Sequence, residues 1–410
     1  MAFWTQELPH QNQRWHNFLI NQMHPVLRDE CHTYLLLNPK KPTWLSPSIN
    51  RGLKLALWYL AKSHALFGEL DTANSYLEQL FRYWPHYPDG RYLAADIDRM
   101  AGNKQQAWQH LETLYPHTRR RKTWLYFAQL VDNPDDWKRL RVLSRHARRL
   151  RVISKYHPEL NEHLSKGAQR AGDYSRAIKL WRQNLEKVVS SQSRTGLIQK
   201  TAETKRFTRA KAEQALMDIK QALDRAGIEF FLISGTLLGL VREGKLLEHD
   251  QDIDIGLWEE VDPVALKKAL LAHGCFHLLP EDYPGCLRAK HLQGIAIDLF
   301  THYRTPRSYW HGGGKVRWHN QPFSLQQMNI LNQMFNVPAS AEIYLQENYG
   351  DWQQEKKGFD STLDTPNAEI LIPEALTLHA YKRLYTALKQ GSQDQVERYR
   401  QVLIQQGEPL

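Results

Sequence analysis

Apolar positions in the first half of the chain recur at helical spacing, and the helices that they predict repeat along the sequence. Gly68 and Gly102 lie 34 residues apart, and the same offset links Ala73 to Ala107. Gly172 follows Gly102 by 70 residues, which is two further repeats of about the same length. A glycine readily ends one helix, and a small alanine lets the next helix pack closely. The pattern therefore predicts a series of helix-turn-helix units.

This period resembles that of tetratricopeptide repeats. The resemblance implies an all-α solenoid over residues 51–190, preceded by a helical segment over residues 1–50. The repeat is degenerate in the middle, where the sequence NPDD at residues 133–136 stands in the turn position. Such a solenoid could be a structural spacer or a surface that binds a partner or a growing polymer, and the sequence leaves both interpretations open.

Residues 138–155 read KRLRVLSRHARRLRVISK and predict a basic amphipathic helix. At helical spacing, Arg141 and Arg145 lie on one stripe, while Leu140 and Leu143 lie on an adjoining one. The simplest interpretation is the solvated face of a solenoid helix. The alternatives are contacts of this helix or the solenoid with an anionic polymer, a membrane surface or a protein. We do not expect nucleic acid as a partner.

The pattern changes after a polar stretch that predicts a linker at residues 191–204. Apolar residues then follow helical spacing up to Gly227 and are succeeded by an apolar run of strand length, Ile228–Ile233. The small-residue turn at Gly235 and Thr236 leads into another helical stretch. At such a turn a glycine lets the backbone approach a ligand, and Thr236 and the free amides of the helix can bond phosphate oxygens.

The next segment, HDQDIDI at residues 249–255, carries three carboxylates. On a strand, Asp250, Asp252 and Asp254 would point to one face and the isoleucines to the other. Such a cluster repels itself unless it is solvated, protonated or neutralised, and flanking apolar residues predict a buried strand. Hard oxygen ligands suit Mg²⁺, or Mn²⁺. A further acid, Asp298, lies inside the apolar sequence GIAIDLF, which makes sense if it joins the same site.

The string ISGTLLGLVREGKLLEHDQDIDIGLW at residues 233–258, followed by Asp298 and by YGDW at residues 349–352, resembles the LicD and fukutin family of phosphotransferases. The resemblance covers residues 205–370. It implies an α/β nucleotidyltransferase-fold domain with a mixed sheet, so that the chain is multidomain. Residues 371–410 are predicted to form two helices that pack on this catalytic domain.

The resemblance also implies the chemistry. Asp252 and Asp254 match the paired metal ligands, Asp250 precedes them as a further metal ligand, and Asp298 falls at the third acid, where it would join the metal site and could also take the acceptor proton. The donor would be a CDP-activated ribitol phosphate, glycerol phosphate or phosphocholine, and the acceptor a hydroxyl of a capsule, teichoic-acid-like polymer or lipopolysaccharide. CMP would leave.

Four basic residues are candidates to bind the donor diphosphate. They are Arg242 in the family's Gly-x-x-Arg stretch, Arg288 and Lys290 before the Asp298 strand, and Lys315 after the glycines 312–314. The glycines 312–314 before Lys315 predict a flexible loop, because no Walker-type sequence follows them. Two alternatives remain: nucleotidyl transfer from a nucleoside triphosphate, and a binding or scaffold protein whose transferase domain is inactive.

Composition adds few constraints. The net charge of +10 favours polyanionic partners without choosing among them. The three cysteines, Cys31, Cys275 and Cys286, are widely spaced and are expected to be reduced. No apolar run approaches the length of a membrane span, and the first residues lack a signal-peptide pattern. We therefore expect a cytoplasmic protein, or one at the inner face of the cytoplasmic membrane.

Overall fold

The computed structural model describes residues 28–37, 47–154, 156–195, 208–247, 250 and 252–409. The first part of the chain is helical. Its helices are α1 (residues 28–37), α2 (Pro47–Leu66), α3 (Leu70–Tyr83), α4 (Pro88–Met100), α5 (Lys104–Leu114), α6 (Lys122–Gln129), α7 (Pro134–Arg149), α8 (Pro158–Arg170) and α9 (Tyr174–Thr195). These helices confirm the predicted helical N-terminal region, whereas the tetratricopeptide repeat stays a prediction. Most of the predicted segment 1–50 lies outside the described residues.

The repeated glycines end helices as the sequence predicts. Gly68, Gly102 and Gly172 have φ angles of 73°, 82° and 77°, the left-handed conformation that favours glycine after a helix. Each is followed within two residues by the start of the next helix. Ala73 and Ala107 are fully buried, so that the paired helices approach closely.

The basic helix is shorter than predicted. Helix α7 ends at Arg149, and Arg151 adopts a φ of 56°. The backbone N–H groups of Leu150 and Val152 donate to the carbonyls of His146 and Ala147, which closes the helix end. Residues 150–154 therefore lie outside the helix, and Lys155 lies outside the described residues. The predicted linker is likewise shortened from its start, because α9 continues to Thr195.

The second half is built on a mixed sheet. Strands β1 (Phe231–Leu232), β2 (Asp252–Trp258), β5 (Ala296–Arg304), β6 (Tyr309–Gly313), β7 (Val316–Asn320) and β10 (Ala368–Ile370) follow one another in that order, and β3 (Phe276–Leu278) joins through β4 (Cys286–His291). The pair β2–β5 is parallel and the other pairs are antiparallel. Strands β8 (Leu325–Ile330) and β9 (Gln333–Pro338) form a separate hairpin. The predicted α/β domain with a mixed sheet is confirmed.

Three helices accompany the sheet: α10 (Arg209–Arg225), α11 (Ser234–Glu243) and α12 (Pro263–His273); α13 (Ala341–Tyr349) follows the hairpin. Buried residues of α10 and α11 share one apolar core with β1, β2 and β5. Among the described residues, none of the helices combines the length and the apolar character needed to cross a bilayer.

The two predicted C-terminal helices are present as α14 (Pro373–Gln390) and α15 (Gln393–Gln405). They contact the catalytic domain, where the Tyr399 hydroxyl donates to Asp360 at 2.6 Å, and they also pack on the helical region. Tyr381 and Tyr399 belong to the core that also contains Trp181 of α9, and the rings of Trp181 and Tyr385 meet edge to face with centroids 5.3 Å apart. The apolar face of α14 covers the last helix of the helical region, because that helix would otherwise expose its own apolar stripe to water.

Candidate active site

Strands β2 and β5 bring the predicted acids together. The two strands are parallel and in a register that places Asp254 opposite Asp298 and Asp252 opposite Ala296. Ile253 and Ile297 are fully buried on the other face. The alternation of a strand therefore fixes one apolar face toward the core and one acidic face toward a cavity.

Asp250 joins the acidic cluster from outside the strand. The sequence places it on β2, but the strand begins at Asp252, and the Asp250 backbone N–H bonds the carbonyl of Leu247 in the preceding loop. Even so, carboxylate oxygens of Asp250, Asp252 and Asp254 lie within 4.8 Å of one another. Asp250, which is not part of the strand, thus supplies the third carboxylate of the cluster.

The acids repel one another electrostatically. Burial, followed by the neighbouring Asp250, raises the pKa of Asp252 to about 7. Burial and then Asp252 raise the pKa of Asp254 well above its usual range. Clustered carboxyl groups that resist ionisation on their own are suited to bind a divalent cation, because its positive charge would stabilise their ionised forms. The donor set suits Mg²⁺ or Mn²⁺.

The turn before α11 holds these carboxylates in place. The Gly235 N–H donates to Oδ2 of Asp254 at 3.2 Å. A Cβ atom built on Gly235 would lie 2.2 Å from Oδ2 of Asp250, so only glycine fits between the two acids. Ser234, just before it, adopts a φ of 48°, a conformation that is strained for a residue with a side chain.

Thr236 has a different position from the one predicted. Its side chain is buried, and its hydroxyl accepts the backbone N–H of Asp254 at 2.9 Å. Thr236 does not line the cavity, whereas Gly235 and Ser234 do. The structure thus makes Thr236 a positioning residue that ties the helix to β2, because its hydroxyl faces the strand instead of the cavity.

Replacing Thr236 with valine should destabilise the protein. The isosteric change leaves the buried Asp254 N–H without an acceptor, which costs about 1–3 kcal/mol. Urea denaturation measures the loss, and Thr236→Ser, which keeps the hydroxyl, is the matched control. Equal free energies of unfolding for the valine and serine variants would contradict this role.

Arg288 reaches the acids from the other side of β5. Its Nε lies 3.1 Å from Oδ1 of Asp298, and its Nη1 lies 3.2 Å from Oδ2 of Asp282. Burial raises the pKa of Asp298, and Arg288 opposes this effect. Arg288 thus neutralises part of the acidic face, as its position in β4 opposite Asp298 requires.

Two other predicted basic residues, Arg242 and Lys290, lie at different cavities. Arg242 lines the cavity, where its guanidinium donates to the carbonyl of Trp352 at 3.3 Å and pairs with Glu243. Lys290 is exposed and does not line this cavity; it lies at a second one, between the sheet and the helical region. Arg288 contacts Asp298 but does not line this cavity either, so the prediction that Arg288 and Lys290 bind the donor diphosphate there does not match their placement.

The cavity above the acids has a volume of about 460 Å³. Its walls include residues that sequence reasoning did not assign to the site or treated as structural: Tyr283, Asn348, Tyr349, Asp351, Lys356 and Phe359. The YGDW segment, which the sequence marks only through the family resemblance, closes α13 and also lines this wall. No local pattern marks single aromatic or cationic side chains as cavity residues, so only the tertiary structure identifies them.

The triple glycine forms a tight hairpin, which corrects the prediction of a flexible loop. Gly313 pairs with Val316 across the turn between β6 and β7. Cβ atoms on Gly313 and Gly314 would lie 2.9 and 3.0 Å from ring atoms of Tyr283, which packs on the turn. Lys315 follows at the cavity wall, with its Nζ 3.1 Å from Nδ1 of His379.

The acid cluster should make stability depend on pH when metal is absent. The pKa of Asp252 is raised to about 7 in the folded protein, above its usual value when unfolded. Between these values the folded state binds more protons than the unfolded chain, so the free energy of unfolding should fall as pH rises through this window. Urea denaturation in EDTA measures the slope. Asp252→Asn or saturating Mg²⁺ should flatten it, and an unchanged slope in both cases would contradict the coupling.

The second half of the chain thus combines a mixed sheet, a glycine turn and acids on two parallel strands. Residues 227–339 match the family model described as LicD/FKTN/FKRP, nucleotidyltransferase domain, so this chain contains a domain of that family. Curated relatives include proteins named ribitol-5-phosphate transferase FKTN from Homo sapiens, Macaca fascicularis and Mus musculus. Each is 24% identical over 173 residues, or 39% of this chain and 37% of the relative. The chain therefore spans little more than a third of the length of the relatives it matches.

Proposed function

We propose that the protein is a divalent-metal-dependent transferase that moves a phosphorylated alcohol from a CDP-activated donor to a hydroxyl of a cell-surface glycan and releases CMP. The observation that carries this proposal is the cluster of Asp250, Asp252 and Asp254 at the floor of a cavity in a LicD-family domain. The names of the relatives favour ribitol phosphate as the first group to test, before glycerol phosphate and phosphocholine.

Each part of the cavity has a role in this reaction. The carboxylates of Asp250, Asp252 and Asp254 would hold the metal, which supplies a Lewis acid for the phosphoryl oxygens. Arg242 and Lys315 line the walls and would neutralise the donor diphosphate. Positioning of donor and acceptor would supply most of the rate increase.

Asp298 is placed to accept a proton. It lines the cavity opposite Asp254, and burial raises its pKa. A carboxylate with a raised pKa is a better base, so Asp298 would take the proton of the acceptor hydroxyl as that oxygen attacks the donor phosphorus. Arg288 keeps Asp298 oriented through its hydrogen bond.

A donor screen tests the proposal. The protein is incubated with Mg²⁺ and CDP-ribitol, CDP-glycerol, CDP-choline or CTP, and the nucleotide products are separated. Even without an acceptor, slow transfer to water should release CMP from one CDP-alcohol, and Asp254→Asn should not. Pyrophosphate release from CTP would instead support nucleotidyl transfer, and the absence of any product together with no thermal stabilisation by Mg²⁺ and CDP would support a binding protein.

A further inference from the structure

A second cavity, of about 170 Å³, lies where the helical region meets the sheet domain. Helices α2, α4 and α6 form one wall, and β3 and β4 form the other. The Arg99 side chain of α4 donates to the carbonyl of Leu278 at the end of β3, at 2.8 Å. Phe67 packs so tightly on Gly274 that a Cβ there would lie 2.2 Å from the ring. The cavity is therefore bounded by an interface between two parts of the chain.

Three lysines from separate elements converge on this cavity: Lys62 of α2, Lys122 of α6 and Lys290 of β4. Lys122 and Lys290 are exposed and Lys62 is half-buried. Within the described part of the chain, none of the three pairs with a carboxylate at ion-pair distance; the Lys122 Nζ instead lies 5.2 and 5.3 Å from the ring centroids of Tyr92 and Tyr126. Burial and then the charge of Lys122 lower the pKa of Lys62 to about 8. The cluster thus carries excess positive charge.

The two acids in the same cavity are paired with other cations. Asp89 accepts a hydrogen bond from Nη1 of Arg120 at 2.8 Å. Asp96 lies 3.5 Å from Nη2 of Arg99 and accepts a hydrogen bond from the hydroxyl of Tyr126 at 3.3 Å. These carboxylates leave the lysines available to an external anion, and their remaining lone pairs can accept hydroxyl groups of a polar ligand.

We propose that this cavity is a second binding site, for a phosphate-bearing sugar unit. Three converging ammonium groups match a phosphate, which would relieve the repulsion between Lys62 and Lys122. Asp89 and Asp96 offer acceptors to sugar hydroxyls, and the rings of Trp58 and Tyr126 offer apolar walls. A free inorganic anion would use only the first of these features, whereas a sugar phosphate would use all of them.

The position of Lys290 suggests what the site is for. Lys290 follows Arg288 by two residues on β4, so their side chains point to the same face, about 7 Å apart along the strand. Arg288 contacts Asp298 of the acidic cavity. A phosphate-bearing glycan held at the second site would lie on the same face of β4 as Arg288, and the role proposed for this site is to hold the acceptor. This acceptor role rests on the proposed function, whereas the binding itself does not.

Binding to the full chain tests the proposal directly. Glucose 6-phosphate, glucose and inorganic phosphate are titrated separately into the protein by isothermal titration calorimetry. Glucose 6-phosphate should bind at least tenfold more tightly than either of the others. Lys62→Gln, Lys122→Gln and Lys290→Gln should each weaken its binding at least tenfold, while Lys268→Gln, at an exposed lysine of α12, should bind like the wild type.

Two further measurements distinguish this proposal from the proposed transferase activity and from a purely structural role of the lysines. Asp254→Asn should bind glucose 6-phosphate normally, so that failure of the proposed transferase leaves this result intact. The melting temperatures of the three lysine variants should change little, because relief of the repulsion between the lysines offsets the loss of weak contacts such as those of Lys122 with Tyr92 and Tyr126. Wild-type-like binding by all three variants, inorganic phosphate binding as tightly as glucose 6-phosphate, or lost binding with a lowered melting temperature would each overturn the proposal.

Discussion

Replacing Asp254 with asparagine should lower the rate of CMP release about a thousandfold or more. The change removes a ligand from the centre of the acid cluster, and loss of metal binding forfeits several kcal/mol of transition-state stabilisation, each ~1.4 kcal/mol being tenfold in rate. The fold should survive, because the variant removes a carboxylate whose pKa is raised by burial and by Asp252. Initial rates with the preferred donor at saturating Mg²⁺ measure the effect.

The matched control is Asp224→Asn, which makes the same chemical change at an exposed aspartate of α10 that pairs with Lys220. It should retain full activity. An Asp254→Asn enzyme that keeps more than a tenth of the wild-type rate would contradict the assignment of this carboxylate as a metal ligand.

Replacing Gly235 with alanine should lower activity about a hundredfold. The new Cβ would lie 2.2 Å from Oδ2 of Asp250 and 3.6 Å from Oδ2 of Asp254, so Asp250 must leave its place in the cluster. Displacing groups that position a metal or its ligands typically costs 10–100-fold in affinity or activity, and here a ligand itself moves. The apparent affinity for Mg²⁺, from the dependence of the rate on its concentration, should fall together with the maximal rate.

Gly227→Ala separates this clash from a general effect of losing a glycine. Gly227 has a φ of 65°, and a Cβ there would meet no atom within 4 Å. The variant should therefore lose stability through backbone strain while the affinity for Mg²⁺ stays the same. If both glycine variants lower the affinity equally, the steric argument at Gly235 is wrong.

The sequence predicts the acidic centre well because its determinants are local. The alternation of Asp252, Ile253 and Asp254 encodes the two faces of a strand, and Asp298 stands out as an acid in an apolar strand. The structure adds the parallel register of β2 and β5, which places Asp298 opposite Asp254. Repeated glycines and alanines similarly predict helix ends and close packing in the helical region.

Other features depend on tertiary contacts that no local pattern encodes. Periodicity identifies an apolar face on α14 but not its partner, which proves to be α9. Thr236 lies in a small-residue turn that is typical of phosphate binding, yet its hydroxyl contacts β2. Lys290 lies close to the acidic strands in sequence, but the packing of α2, α4 and α6 against β4 places it at the second cavity. The tight Tyr283 contact likewise turns a glycine-rich sequence into an ordered hairpin.

The most direct test of the central claim is a crystal structure with Mn²⁺ and CDP, examined by anomalous scattering at the manganese edge. The predicted result is a manganese peak within coordinating distance of the carboxylates of Asp252 and Asp254, with the CDP diphosphate beside it in the cavity lined by Arg242 and Lys315. A peak elsewhere, or CDP bound outside this cavity, would contradict the account.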